Sequence, residues 1–150
     1  MNPENVEEYL RLFRAHGCEP PSGYVWALQH DMFGFDSFTQ MEPWEFCGPE
    51  EILPLSKRWP GNPGTFNPIP NPEVELIPFA RLQGSDDLVC LKVNTGKVIG
   101  IAAVHYQINT NSPTEYWIED SYETFWDWLR YAVSHIEFWS GIKNKRKSGG

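Results

Sequence analysis

Asp86 and Asp87 are adjacent, and paired carboxylates are the groups from which acid–base pairs and cation sites are built. They stand in Gln83-Gly84-Ser85-Asp86-Asp87, between two apolar runs. Tight turns select the same residues, because Asp bonds its own backbone and Gly reaches left-handed φ. Turn chemistry therefore accounts for the pair, and a cation would need further oxygen ligands that the spacing does not place. Glu115, Glu119, Asp120 and Glu123 form a second acidic cluster. Asp120 and Glu123 flank an expected helix start, where the helix dipole favours negative charge without any catalytic duty. Glu115 and Glu119 have no such duty and are free to face a partner.

The other residue types that do chemistry carry no signature. The three cysteines, Cys18, Cys47 and Cys90, include no C-x-x-C pair, so a redox motif or zinc knuckle is not indicated. Cys90 lies in the strand-like run LVCLKV, where it reads as a small apolar residue. The four histidines, His16, His30, His105 and His135, lack metal-ligand spacing. Cys18 and His16 flank Gly17 without a protease signature, and no G-x-S-x-G, P-loop or G-x-G-x-x-G occurs. The sequence thus assigns no catalytic residue, no metal site and no cofactor. A small hydrolase stays open only because catalytic triads are spatial rather than sequential.

Composition points to a folded chain. Of 150 residues, 41% are apolar and 15% aromatic, with seven tryptophans, which argues for a packed core. One domain over 1–142 is expected, followed by a basic flexible tail over 143–150. No apolar run approaches the roughly 18 residues that span a bilayer, and the polar start Met1-Asn2-Pro3-Glu4-Asn5 is not a signal peptide. The expectation is a soluble, cytoplasmic protein with no membrane partner. Net charge is −8, and the last eight residues hold four of the twelve basic groups; residues 1–142 therefore carry 8 basic and 20 acidic residues, a net of −12. Such a body repels phosphate backbones, so direct nucleic-acid binding is disfavoured. It attracts a basic protein and speeds the encounter, although ordinary solubility charge explains the imbalance equally well.

The elements that must hold these groups read as follows. Asn2 caps a first helix with Pro3 at its first position; Val6, Tyr9, Leu10 and Phe13 form its apolar stripe, and Gly17 ends it. Tyr24 to Gln29 is a short apolar piece, helix or strand, and Phe35 to Met41 has a loose alternation suited to an edge strand. Gly48-Pro49-Glu50-Glu51 opens a short second helix that Pro54 shortens or shifts. Trp59 to Pro72 carries Pro60, Pro63, Pro68, Pro70 and Pro72 and supports no ladder. It is a loop that packs through Trp59 and Phe66, or else a recognition surface; a connector is the simpler reading. Glu75 to Tyr106 has three apolar runs cut by the acidic turn and by Asn94-Thr95-Gly96-Lys97, an antiparallel meander. Thr114 to Ile118 adds a strand. Ser121 is then expected to cap a helix from Tyr122 to Trp139, with Phe125, Trp128, Leu129, Ala132, Val133, Ile136 and Trp139 on one face. Its edge aromatics, Trp126, Tyr122, Tyr131 and Phe138, either pack deep or meet a partner. The fold class is α+β, with N- and C-terminal helices on one face of a central antiparallel sheet.

Two stretches, with the capped C-terminal segment, resemble the SUKH superfamily, which includes yeast cell-wall-assembly regulators of the Smi and Knr type and many bacterial immunity proteins. One is Trp44-Glu45-Phe46-Cys47-Gly48-Pro49-Glu50-Glu51-Ile52-Leu53. The other runs from Leu76-Ile77-Pro78-Phe79-Ala80 through Gly84-Ser85-Asp86-Asp87-Leu88-Val89-Cys90-Leu91 to Gly96-Lys97-Val98, and Ser121 to Leu129 is similar to the closing helix. The motifs are patterns of residue class over roughly Val6 to Phe138, and Pro20-Pro21-Ser22-Gly23-Tyr24 only approximates the family's proline-tyrosine-leucine segment. The resemblance implies a non-enzymatic binding domain that neutralises a toxin, such as a nuclease, by direct contact, or a regulatory or assembly module with no toxin partner. An acidic inhibitor would compete for the basic surface a nuclease needs. Asp86, Asp87, Glu115 and Glu119 are the expected partner-binding charges.

Overall fold

In the computed structural model, residues 3–30, 44–60, 73–82 and 84–134 are described. The meander is present and larger than expected. Five strands, β1 (Trp44–Phe46), β2 (Val74–Leu82), β3 (Asp87–Asn94), β4 (Lys97–Gln107) and β5 (Glu115–Tyr122), form one antiparallel sheet in chain order. Thr95 (φ 51°) and Gly96 (φ 80°) both take left-handed backbone between Asn94 and Lys97, which is the two-residue hairpin turn that matches strand twist.

Three register shifts bend the sheet. One falls at Phe79 in β2, one at Ile99 in β4 and one at Glu119 in β5. Pro78 borders the first shift, outside the residues that β1 pairs, where its missing N–H is tolerated. Each shift moves every later residue by one position relative to its neighbour.

Helices α1 (Pro3–Ala15), α2 (Ser22–Gln29) and α4 (125–134 of the described residues) cover one face. In α1, Val6, Tyr9, Leu10 and Phe13 are buried as the stripe predicts. Gly17 (φ 73°) ends it, with Cys18 N–H donating to Phe13 O and Gly17 N–H to Arg14 O, a Schellman closure. The residue expected to cap α1, Asn2, lies outside the described residues. The open choice at Tyr24 to Gln29 resolves as helix. Gly23 is required there, because a Cβ at that position would lie 2.7 Å from Phe125 Cδ1 of α4. Tyr24 is the centre of this core, its ring edge-on to Phe13, Phe46, Phe79 and Phe125 at 5.2 to 6.2 Å.

The opposite face is also buried. Leu88, Cys90, Ala102, Val104, Tyr116 and Ile118 pack there with Leu55 of α3 (Leu55–Arg58), a single turn, and with Trp59. Pro54 separates α3 from a 3-10 turn at Pro49–Glu51, so the short helix expected after Gly48 is split in two. Phe35 to Met41, Phe66 and the basic tail lie outside the described residues.

The start of α4 departs from the sequence reading. Ser121 is not its cap: Ser121 and Tyr122 continue β5, paired with Ala102 and Ile101. Thr124 caps instead, its Oγ1 accepting from Asp127 N–H at 3.2 Å while the hydroxyl donates to Asp127 Oδ2 at 2.9 Å. Phe125, Trp128, Leu129 and Ala132 are buried as predicted, while Trp126 and Tyr131 are 49% and 45% exposed and Val133 is also exposed. Ile136, Phe138 and Trp139 lie outside the described residues.

Candidate functional site

One end of the sheet gathers the acidic groups. Asp87 opens β3, and the register places it opposite His105 of β4, itself opposite Trp117 of β5. His105 Nδ1 lies 2.8 Å from Asp87 Oδ1, and its ring centroid 5.0 Å from that of Trp117. Glu119 is the extra residue of the β5 bulge, and Ile118 and Asp120 pair on either side of it. The bulge re-aims Glu119, so that one ligand atom each of Asp87, His105 and Glu119 lie within 4.8 Å of one another.

Beside this cluster, under α4, is a cavity of about 190 Å³. Asp87, Glu119 and Asp120 supply carboxylates to its wall, and Trp44, Tyr122, Trp128 and Tyr131 supply rings. Tyr131 stands 6.3 Å from Trp44 and 5.7 Å from Tyr122, centroid to centroid, and Trp44 is edge-on to Trp128 at 5.5 Å. The buried sides of Trp44 and Trp128 anchor the floor in the core, and half-exposed Tyr131 stands at the rim.

The electrostatics are strained. The Glu119 carboxyl is held above its ordinary value by partial burial and then by the neighbouring Asp87, with Asp120 adding to the effect and His105 opposing it. Tyr122 is pushed up by burial and by Asp120, to which its hydroxyl donates at 3.4 Å. Asp120 Oδ1 also accepts from Ser121 N–H at 2.9 Å. Asp87 is the best-partnered acid, taking His105 on Oδ1 and the Ser85 hydroxyl on Oδ2.

Of the four acidic residues expected to bind a partner, Asp87 and Glu119 are brought together. Asp86 is next in the chain but does not line the cavity under α4; it lines an adjoining one of about 320 Å³ with Glu45, Glu51, Arg58 and Arg81, and Asp87 borders both. There Arg81 bonds Glu45 and, at 2.7 Å, Glu51, so that region is closer to neutral. Glu115 is exposed at the start of β5 opposite Gln107, four residues from Glu119 and outside the cluster. His105 and Trp44 are the members the sequence did not reveal; Asp120, expected to flank a helix start, lies instead in β5 opposite Ala103, and Tyr122 and Tyr131 were expected among the edge aromatics.

Three kinds of chemistry can be weighed here. Asp87, His105 and Glu119 are a donor set compatible with a divalent cation, but both Asp87 oxygens are already engaged within the protein. Ser85, Asp87 and His105 are hydrogen-bonded in the wrong order for a hydrolase: the hydroxyl donates to the carboxylate, and no contact passes its proton to the imidazole. The cysteines are no better as nucleophiles. All three are buried; burial, with Glu19, pushes Cys18 up to about 11, and burial raises Cys47 and Cys90. Carboxylates crowded around a ring-lined hollow suit a cationic ligand.

The fold and this site define an α+β domain with an acidic, aromatic-edged cavity at one sheet end. Comparison with protein-family models, curated proteins and solved structures finds no match to this chain. Among the described residues, no helix is long and apolar enough to cross a membrane.

Proposed function

We propose that this chain is a non-enzymatic protein-binding domain that receives a basic partner on its acidic sheet end. The observation that supports it most is the convergence of Asp87, Glu119 and Asp120 on one ring-lined hollow, in a body of net charge −12 over residues 1–142. Like charges held this close repel, and a cationic partner removes the repulsion on arrival. The resemblance to the SUKH superfamily extends the proposal: the partner is a toxin domain, a nuclease foremost, whose phosphate-binding surface is basic.

A second reading rests on a different surface. Trp26 of α2 and Trp126 of α4 are both more than 40% exposed with ring centroids 6.1 Å apart, beside a cavity of about 340 Å³ between the two helix starts. Exposed tryptophans of this kind are frequent anchors of protein interfaces. They favour a regulatory or assembly module whose contact is apolar.

Capture of partners on immobilised protein at low and high salt, with mass spectrometry of what is retained, separates the two. The expected result is a basic, nuclease-like protein held at low salt, released by salt, and lost with Glu119→Lys. A partner that withstands salt and is lost with Trp126→Ala instead would replace the first reading with the second.

A further inference from the structure

We propose that the cavity beneath α4 is a socket for one arginine side chain of the partner, an inference that rests on the proposed acidic binding surface and specifies its anchor.

Size is the first argument. About 190 Å³ is below the roughly 300 Å³ at which sites for drug-sized ligands begin, and it suits a single long side chain better than a cofactor. The lining is the second. Guanidinium is planar and weakly hydrated, so it stacks on aromatic faces while its N–H fork takes carboxylates. Tyr131, Tyr122 and Trp44 all contribute to the lining, and the two tyrosine rings stand 5.7 Å apart and 33° from parallel. Glu119, Asp120 and Asp87 line the same cavity. Lysine has the charge but neither the plane nor the fork, so the lining discriminates between the two.

Charge complementarity is the third argument. Among the groups that set its ionisation, Glu119 has two acids and one histidine. An arriving guanidinium pairs with Glu119 and Asp120 without displacing the Asp87–His105 contact. The frame favours this: Asp87 and Glu119 belong to one sheet, on β3 and β5 to either side of β4, and Trp44 and Trp128 are buried at its helix-covered face. A preorganised socket loses little entropy on binding.

The test uses the full chain labelled with nitrogen-15 and three peptides, acetyl-Gly-Arg-Gly-amide and its lysine and citrulline counterparts. Titration is followed through the indole N–H resonances of Trp44 and Trp128. The arginine peptide is expected to shift both saturably, the lysine peptide to bind about threefold more weakly, and the neutral citrulline peptide to leave them unmoved. Tyr131→Ala and Glu119→Gln are each expected to weaken the arginine peptide about threefold, in line with exposed cation–π and ion-pair contacts. Both positions are exposed, and a melt of each variant checks folding. No saturable shift, or equal shifts with the citrulline peptide, overturns the socket. So does a response confined to Trp117, which would place binding beside His105 and Trp117, outside the cavity lining. If the socket fails while salt-sensitive capture of a basic partner persists in Tyr131→Ala, the broader binding reading stands without it. If no basic partner is captured, the peptide titration still decides the socket.

Discussion

Glu119 shows how a single residue can be placed against its own stability. Its carboxyl is raised above the ordinary value of 4.5, by burial and then by Asp87. An acid raised in the folded state fits the fold best when protonated. Its favourable contribution is complete below its ordinary pKa and is lost as pH rises through the raised value. At neutral pH the ionised group therefore destabilises the domain. Glu119→Gln keeps the shape and removes the charge, so it is expected to raise the melting temperature at pH 7. The side chain is largely exposed and solvent screens it, so the gain is under about 1 kcal/mol. The gain shrinks to nothing near pH 4, and calorimetry at both values checks it. A variant less stable than the parent at pH 7 would show that Glu119 is instead satisfied where it stands. If the socket proposal holds, the same substitution stabilises the domain and weakens its binding, the pattern expected of a functional site.

At the scale of elements, the start of α4 carries the most direct prediction. Thr124 and Asp127 form a reciprocal cap, and Thr124→Ala is expected to cost about 1 kcal/mol. Thr124→Ser should recover most of it, which urea unfolding of the three proteins measures. The capping signal was visible in the sequence, in Thr124-Phe125-Trp126-Asp127, but Ser121 three residues earlier competes with it. What decided between them is tertiary: Ser121 and Tyr122 gain ladder bonds to β4 by remaining extended. The meander was legible because its turns are written locally, in Gly84-Ser85-Asp86-Asp87 and Asn94-Thr95-Gly96-Lys97. The site was only half legible, and the bulges are the reason. Counted without a shift from Asn94 opposite Lys97, Asp87 would face Val104; the shift at Ile99 brings it to His105. The shift at Glu119 then turns that residue toward Asp87. Bulges have weak sequence signals, so residue type marked Asp87 and the Glu119–Asp120 stretch while nothing local brought the two together or marked His105 as their neighbour. The aromatic wall was half visible too, since Tyr131 falls beyond the edge of the apolar arc of α4, whereas Trp44 reaches it from β1 across the sheet.

Over the whole molecule, net charge opposes compactness while it favours association with a basic partner. Residues 1–142 carry 20 acidic and 8 basic groups. Some are locally compensated, as Arg14 is with Glu19 at 2.8 Å and Arg81 with Glu45 and Glu51. The acidic excess remains, and its self-repulsion is felt across the domain at low ionic strength, where the screening length is about 30 Å at 0.01 M, and much less at 0.1 M, where it is about 10 Å. Sodium chloride over this range is therefore expected to raise the melting temperature of the free protein. The same salt should loosen its hold on a basic partner or an arginine peptide, since both effects come from screening one set of carboxylates. The two slopes must have opposite signs. Scanning fluorimetry and peptide titration across the same salt series measure them together. Chloride is too weak a salting agent at these concentrations to mimic the first effect through hydrophobic burial. A melting temperature that falls with salt would mean that the acidic groups are stabilised by pairs within the fold, and are not held in reserve for a partner.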